Sequence, residues 1–153
     1  TKLYTSNLIL YNIYLTNNKF EYNYFMPKDK YELKTAVNIW CKNKEEAILI
    51  YGNISYWNTI NIIDMSFLFC DKSNFNDDIS DWNTSNVVYM TKMFSNAYTF
   101  NQNLNNWNLS CIYQIKGIFT NTIKLSELNY INWDMSNYYK VNPHIKNYKI
   151  YYK

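Results

Sequence analysis

The side chains best suited to chemistry are few in this 153-residue chain, and they are scattered. Asp77-Asp78 is an adjacent carboxylate pair, the arrangement from which general acid–base work would start if a third polar group converged on it. His144 is the single histidine and follows Pro143, with no serine or cysteine that position places beside it. Cys41, Cys70 and Cys111 are odd in number, far apart and without a Cys-x-x-Cys pair. That pattern supports neither a disulfide framework nor a zinc site, and predicts three reduced, mostly buried thiols. No ligand cluster has workable metal spacing, so neither metal nor cofactor is expected. The expected class is a non-enzyme.

Such residues must be held by something, and the stretch from Ile54 to Trp133 supplies it through a repeated pattern. Trp57, Trp82, Trp107 and Trp133 recur at intervals of about 25, 25 and 26 residues, a period that marks stacked supersecondary units. Other columns keep the same register: Met65 with Met90 and Ile115, Phe69 with Phe94 and Phe119, Phe75 with Phe100 and Leu125. Ile54, Ile79 and Leu104 each stand three residues before a tryptophan, while Asn58, Asn83, Asn108 and Asp134 each follow one. The predicted repeat core is Trp57, Trp82, Trp107, Trp133, Phe69, Phe94, Phe119, Met65, Met90, Phe75 and Phe100. The carboxylate pair aligns with Gln102 and Asn103, which makes it a solvated turn rather than a catalytic dyad.

The segment from Trp82 through Asn-Thr-Ser-Asn-Val-Val-Tyr-Met-Thr-Lys-Met to Phe94, followed by Phe100-Asn-Gln-Asn-Leu-Asn-Asn-Trp107, resembles the repeat of BspA-like leucine-rich-repeat proteins. These occur in mycoplasmas, other bacteria, protists and giant viruses. Residues 33–40 and 51–57 are similar to the segment leading into such repeats in the protist and giant-virus branch. The resemblance covers roughly residues 27–135 and implies an α/β fold: a short leucine-rich-repeat-like solenoid with a narrow parallel sheet. Extended segments around Ile54, Ile79 and Leu104 would form the sheet, and a helical turn would carry Met90, Met93 and Phe94 on one face. The Asn83 column is expected to satisfy buried backbone groups between coils. Cys111 stands where the repeat prefers asparagine, and an extra residue falls between Leu125 and Trp133.

Four regions follow. Residues 1–27 form an N-terminal arm, with a β-hairpin over residues 8–26 turning at Asn17-Asn18. Residues 28–53 form a helical cap: Asp29 and Glu32 make a capping box, Leu33, Ala36, Val37 and Trp40 share a face, and Asn43 caps a second helix ending at Gly52. Residues 54–137 hold about three repeats, and residues 138–153 are a C-terminal cap or docking tail. In that tail Tyr148, Ile150 and Tyr152 alternate with Lys149, Tyr151 and Lys153, which marks them as candidate partner-binding residues. With two glycines in the whole chain, tight turns fall mostly to asparagine.

Composition narrows the function. Apolar residues make up 48% and aromatics 20%, which excludes a disordered chain, and the net charge of +3 is too mild to point to nucleic acid. No apolar run reaches the roughly 18 residues of a membrane span. Asn53, Asn83 and Asn108 lie in Asn-x-Ser/Thr sequons, but an asparagine-rich chain produces these freely. The expected role is a protein–protein interaction or structural module whose partners are other proteins of an assembly. The resemblance implies a giant-virus virion, capsid-associated, or the host cytoplasm, and for a bacterial chain a cell-surface adhesin. Carbohydrate or nucleic-acid binding through exposed tyrosines is the remaining alternative.

Overall fold

A computed structural model describes residues 24–143. The first helix, α1 (Lys30–Lys42), starts at Asp29, whose carboxylate accepts from the Glu32 N–H, while the Glu32 carboxylate accepts from the Lys28 N–H. The reciprocal bond thus lands one residue earlier than a capping box puts it. Leu33, Ala36, Val37 and Trp40 form the buried stripe. Asn43 ends α1 and caps α2 (Lys44–Tyr51), and Gly52 stops α2 at φ 73, a backbone region that glycine enters without steric cost. Phe25 threads beside this pair, its ring 4.6 Å from Tyr51 and 5.1 Å from Trp57.

Beyond Gly52 the chain makes successive repeats over residues 54–78, 79–103 and 104–129, and begins another at Tyr130. Each opens with a tight turn: the backbone N–H of Trp57, Trp82, Trp107 and Trp133 donates to the carbonyl three residues back, of Ile54, Ile79, Leu104 and Tyr130. Each tryptophan from Trp82 on also reaches into the preceding repeat. The indole N–H of Trp82, Trp107 and Trp133 donates to the carbonyls of Ile54, Ile79 and Leu104 at 2.8, 3.1 and 2.7 Å. Burial of the rings and satisfaction of their one donor therefore come from the same placement. Phenylalanines stack in two further files, Phe69 on Phe94 at 5.4 Å and Phe75 on Phe100 at 5.7 Å.

Between repeats the backbone bonds run both ways: Tyr89, Gln114, Thr99 and Lys124 donate back to Ile63, Val88, Ser73 and Tyr98, and a longer row donates forward. The N–H groups of Met65, Phe67, Phe69 and Asp71 donate to the carbonyls of Tyr89, Thr91, Met93 and Ser95, and those of Met90, Lys92, Phe94 and Asn96 donate to Gln114, Lys116, Ile118 and Thr120. The intervening N–H groups turn back within their own repeat, as Leu68 does to Met65 and Met93 to Met90.

This arrangement overturns the expected fold class. Among the described residues there is no strand and no sheet, only isolated parallel bridges joining Asp64 to Tyr89 and Tyr89 to Gln114. A leucine-rich-repeat-like solenoid with a narrow parallel sheet therefore does not describe this chain. The physical reason lies in the dihedrals. Phe67 and Asp71 in the first repeat, Lys92 and Asn96 in the second, and Gly117 and Asn121 in the third all have φ between 51° and 65°. Left-handed residues every few positions break the extended conformation that a ladder needs. The same residues replace the expected helical turn by separate three-residue turns, although Met90, Met93 and Phe94 are all fully buried. Asparagine does occupy two of these sites, but phenylalanine and lysine hold two others. The expected hairpin over residues 8–26 lies almost wholly outside the described residues, and residues 24–27 form no strand.

Candidate functional site

The carboxylate pair is not a solvated turn. Asp77 is half-buried and joins the helices to the first repeat: Oδ2 accepts from the Trp40 indole N–H at 2.8 Å, and Oδ1 pairs with the Lys44 ammonium. The same ammonium sits 5.0 Å from the centre of the Trp40 ring. Asp78 is exposed and accepts from the Ser80 N–H. Both Asp77 oxygens are thus engaged in holding the helices to the first repeat. Sequence could not have shown this, because Trp40 and Asp77 are separated by 37 residues.

A shallow cleft of about 500 Å³ lies beside this junction, lined by Asn38, Cys41, Lys42, Lys72, Asn74 and Asp77 among others. Cys41 is exposed as a residue, yet the chain crowding its sulfur pushes the thiol up to about 11. Lys72 opposes that rise and Asp77 adds to it. A thiol held protonated is a poor nucleophile. Cys111 is exposed and Cys70 half-buried, so none of the three residues is fully buried as expected, and all three are free. Across the described residues no three of His, Cys, Asp and Glu converge as a metal site. A second junction pairs Lys30 with Asp64 at 2.6 Å. Burial alone would raise the Asp64 carboxyl, but the Lys30 hydrogen bond and the Ser66 donors outweigh it and hold the group below its usual range.

The polar columns serve the repeats, though not as expected. Asn58, Asn83, Asn108 and Asp134 are exposed, and each accepts from the N–H two residues on, at Ile60, Ser85, Ser110 and Ser136. They shape local turns and do not bridge repeats. The three sequon asparagines are exposed as well. The bridging falls to neighbouring columns. Thr59 and Thr84 are buried and donate to the carbonyls of Asn83 and Asn108 in the next repeat. Asn61, Asn86 and Asn137 donate to the carbonyls of Pro27, Ile60 and Ser110. Cys111 interrupts that last file. Asp71, Asn96 and Asn121 form another, linked side chain to side chain at 2.6 and 2.8 Å. The signal that could have found the threonines is their place immediately after the Asn58 column.

All eleven expected repeat-core residues are buried: Trp57, Trp82, Trp107, Trp133, Phe69, Phe94, Phe119, Met65, Met90, Phe75 and Phe100. Tyr148, Ile150 and Tyr152 lie outside the described residues, as does His144. What sequence reasoning missed is a set of exposed apolar side chains on the repeats. Ile63, Tyr89 and Tyr113 are all exposed, the carbonyl of Ile63 accepts from the Tyr89 N–H, and the rings of Tyr89 and Tyr113 meet edge to face at 6.2 Å. Phe67 and Tyr31 are exposed too, and the Lys30 and Lys34 side chains flanking Tyr31 reach Asp64 and the carbonyl of Phe67.

No helix among the described residues is long and apolar enough to cross a membrane. Comparison with curated proteins and with solved structures yields no match. A family model described as "Mycoplasma protein of unknown function, DUF285" matches residues 38–151, running from α1 through every repeat. The repeats built on Trp57, Trp82, Trp107 and Trp133 fall wholly inside that match, and the chain belongs to this family.

Proposed function

We propose that this chain is a non-enzymatic protein-interaction or structural module that acts within a larger assembly. The observation that carries the reading is the use made of its polar groups. Asp77, Asp64, the bridging threonines and the asparagine files are spent on holding helices and repeats together, and exposed apolar side chains, among them Ile63 and the touching pair Tyr89 and Tyr113, are free to meet other molecules. Paired exposed tyrosines suit a protein partner, since they bury apolar area while leaving the hydroxyls able to bond. The family description assigns no activity.

Localisation belongs to the same proposal. The viral form places the module in a virion or host cytoplasm, the bacterial form on a cell surface. The family description names mycoplasma proteins and lends the virion no support.

The test is a double substitution, Tyr89→Ser with Tyr113→Ser, in the protein expressed in its source. Cross-linking followed by mass spectrometry is expected to recover a stoichiometric protein partner with the native chain and to lose it with the variant, at unchanged thermal stability. A partner retained in full by the variant would defeat the assignment of this face.

A further inference from the structure

The left-handed residues of the repeats form two columns, and the two columns use their side chains differently. In one, Asp71, Asn96 and Asn121 are residue types that tolerate positive φ, and their side chains bond to one another from repeat to repeat. The other column runs Phe67, Lys92, Gly117 and ends in the residue that this conformation favours. Phenylalanine and lysine are strained there, at φ 60° and 51°. The Phe67 side chain is exposed and lies outside the hydrophobic core. The Lys92 stem passes over Gly117, and among the described residues its ammonium meets no acceptor. Strain kept at side chains that the fold leaves idle points to a use outside the fold.

The two positions adjoin, and other lysines flank them. The Phe67 N–H donates to the carbonyl of Thr91, the residue before Lys92, at 2.9 Å, and the Lys92 N–H donates to the carbonyl of Lys116 at 3.0 Å. From the α1 side the Lys34 ammonium donates to the Phe67 carbonyl at 3.0 Å. Burial and the Asp71 carboxylate push the Cys70 thiol up, while Lys34 and Lys92 both pull it down, so the two cations act on one place. Ion pairs among the described residues take Lys30 and Lys44, which leaves Lys34, Lys92 and Lys116 without one. Asp64 is neutralised by Lys30, so Asp71 alone stands against these three charges.

We propose that Phe67 and Lys92, flanked by Lys34 and Lys116, form a docking point for an acidic segment of a partner protein. Carboxylates of that segment meet the three ammonium groups, and an apolar side chain covers the Phe67 ring. The Asp71 carboxylate beside these charges opposes a dense row of phosphates and suits a segment in which acids alternate with apolar groups. This rests on the interaction reading above and names the chemistry of the partner, at residues which that reading leaves unused.

The probe is a soluble copolymer of glutamate and tyrosine, titrated into the full chain at physiological salt. Amide shifts are read by NMR and the Kd by calorimetry. Shifts are expected to centre on residues 34, 67, 92 and 116. Lys92→Gly is expected to raise the Tm and yet weaken binding about threefold, and Phe67→Gly to weaken it about tenfold. Lys124→Ala, at an exposed lysine outside the site, should leave the Kd unchanged. A gain in stability joined to a loss of binding is an outcome that a purely structural role for Lys92 does not give.

Shifts centred elsewhere overturn the proposal, as do native affinities in both glycine variants. Tighter binding of a single-stranded oligonucleotide, or of phosphatidylglycerol vesicles, at the same salt overturns it in favour of those surfaces. Absence of copolymer binding overturns it too and leaves the interaction reading intact, since that reading is tested on the cellular partner with Tyr89→Ser and Tyr113→Ser.

Discussion

The indole of Trp82 donates its N–H to the backbone carbonyl of Ile54, 28 residues earlier, at 2.8 Å, while its ring lies 6.2 Å from that of Trp57. One side chain thus closes the joint between two repeats by both area and hydrogen bond. Trp82→Ala is expected to cost about 3–5 kcal/mol from the lost aromatic volume, together with one of the two hydrogen bonds at the Ile54 carbonyl, which keeps the Trp57 N–H. Lys116→Ala, at an exposed side chain, should stay within about 0.5 kcal/mol. Equal melting temperatures for the two variants would remove the tryptophan file as the main joint.

Lys92 is exposed but not a neutral position, because its φ is 51°. The corresponding residue of the next repeat is Gly117, with φ 65°. Lys92→Gly is therefore expected to stabilise by about 0.5–1 kcal/mol: relief of left-handed strain outweighs the added freedom of the unfolded chain. The converse change, Gly117→Ala, should destabilise, since a Cβ there would meet the Thr120 hydroxyl at 3.0 Å. Denaturant midpoints that move in the same direction for both would contradict this account.

Cys111 breaks the file in which Asn86 and Asn137 bond to the preceding repeat. Cys111→Asn should place an amide against the carbonyl of Ser85 and add about 0.5–1 kcal/mol, the lower part of the range for a partly exposed hydrogen bond. Urea melts of the two proteins under reducing conditions check the gain; an unchanged midpoint would show that the third repeat does not follow the register of its neighbours.

The Lys30–Asp64 pair makes the helix junction acid-sensitive. The Asp64 carboxyl is lowered from 3.8 in the folded state, so the folded chain binds that proton less readily than the unfolded one. The stability this contributes is present above about 3.8 and is lost as pH falls through the folded value. Asp64→Asn should flatten the stability curve in that acid window and leave its shape near neutrality unchanged. A curve with the same acid slope in both proteins would assign the effect to other carboxylates.

Cys41 should react slowly with iodoacetamide at pH 8, since its thiol is pushed up to about 11 and little thiolate is present. Mass spectrometry of the native protein after timed alkylation is expected to show Cys111 modified well before Cys41. Equal rates would mean that the crowding around the Cys41 sulfur is not maintained in solution.

The period of Trp57, Trp82, Trp107 and Trp133, the identity of the buried columns and the helix starts at Asp29 and Asn43 were all legible in the sequence. These follow from local capping chemistry and from a hydrophobic effect that depends on which side chains recur, not on direction. The sheet expected from the same columns was absent, because burial periodicity does not report φ. Phe67 and Lys92 give no sign in their side chains of a left-handed backbone. Asp77 looked like a solvated turn since its partners, Trp40 and Lys44, lie more than thirty residues away. Hydrogen bonds are directional pairings through space, and tertiary structure alone decides which groups meet and which are left over.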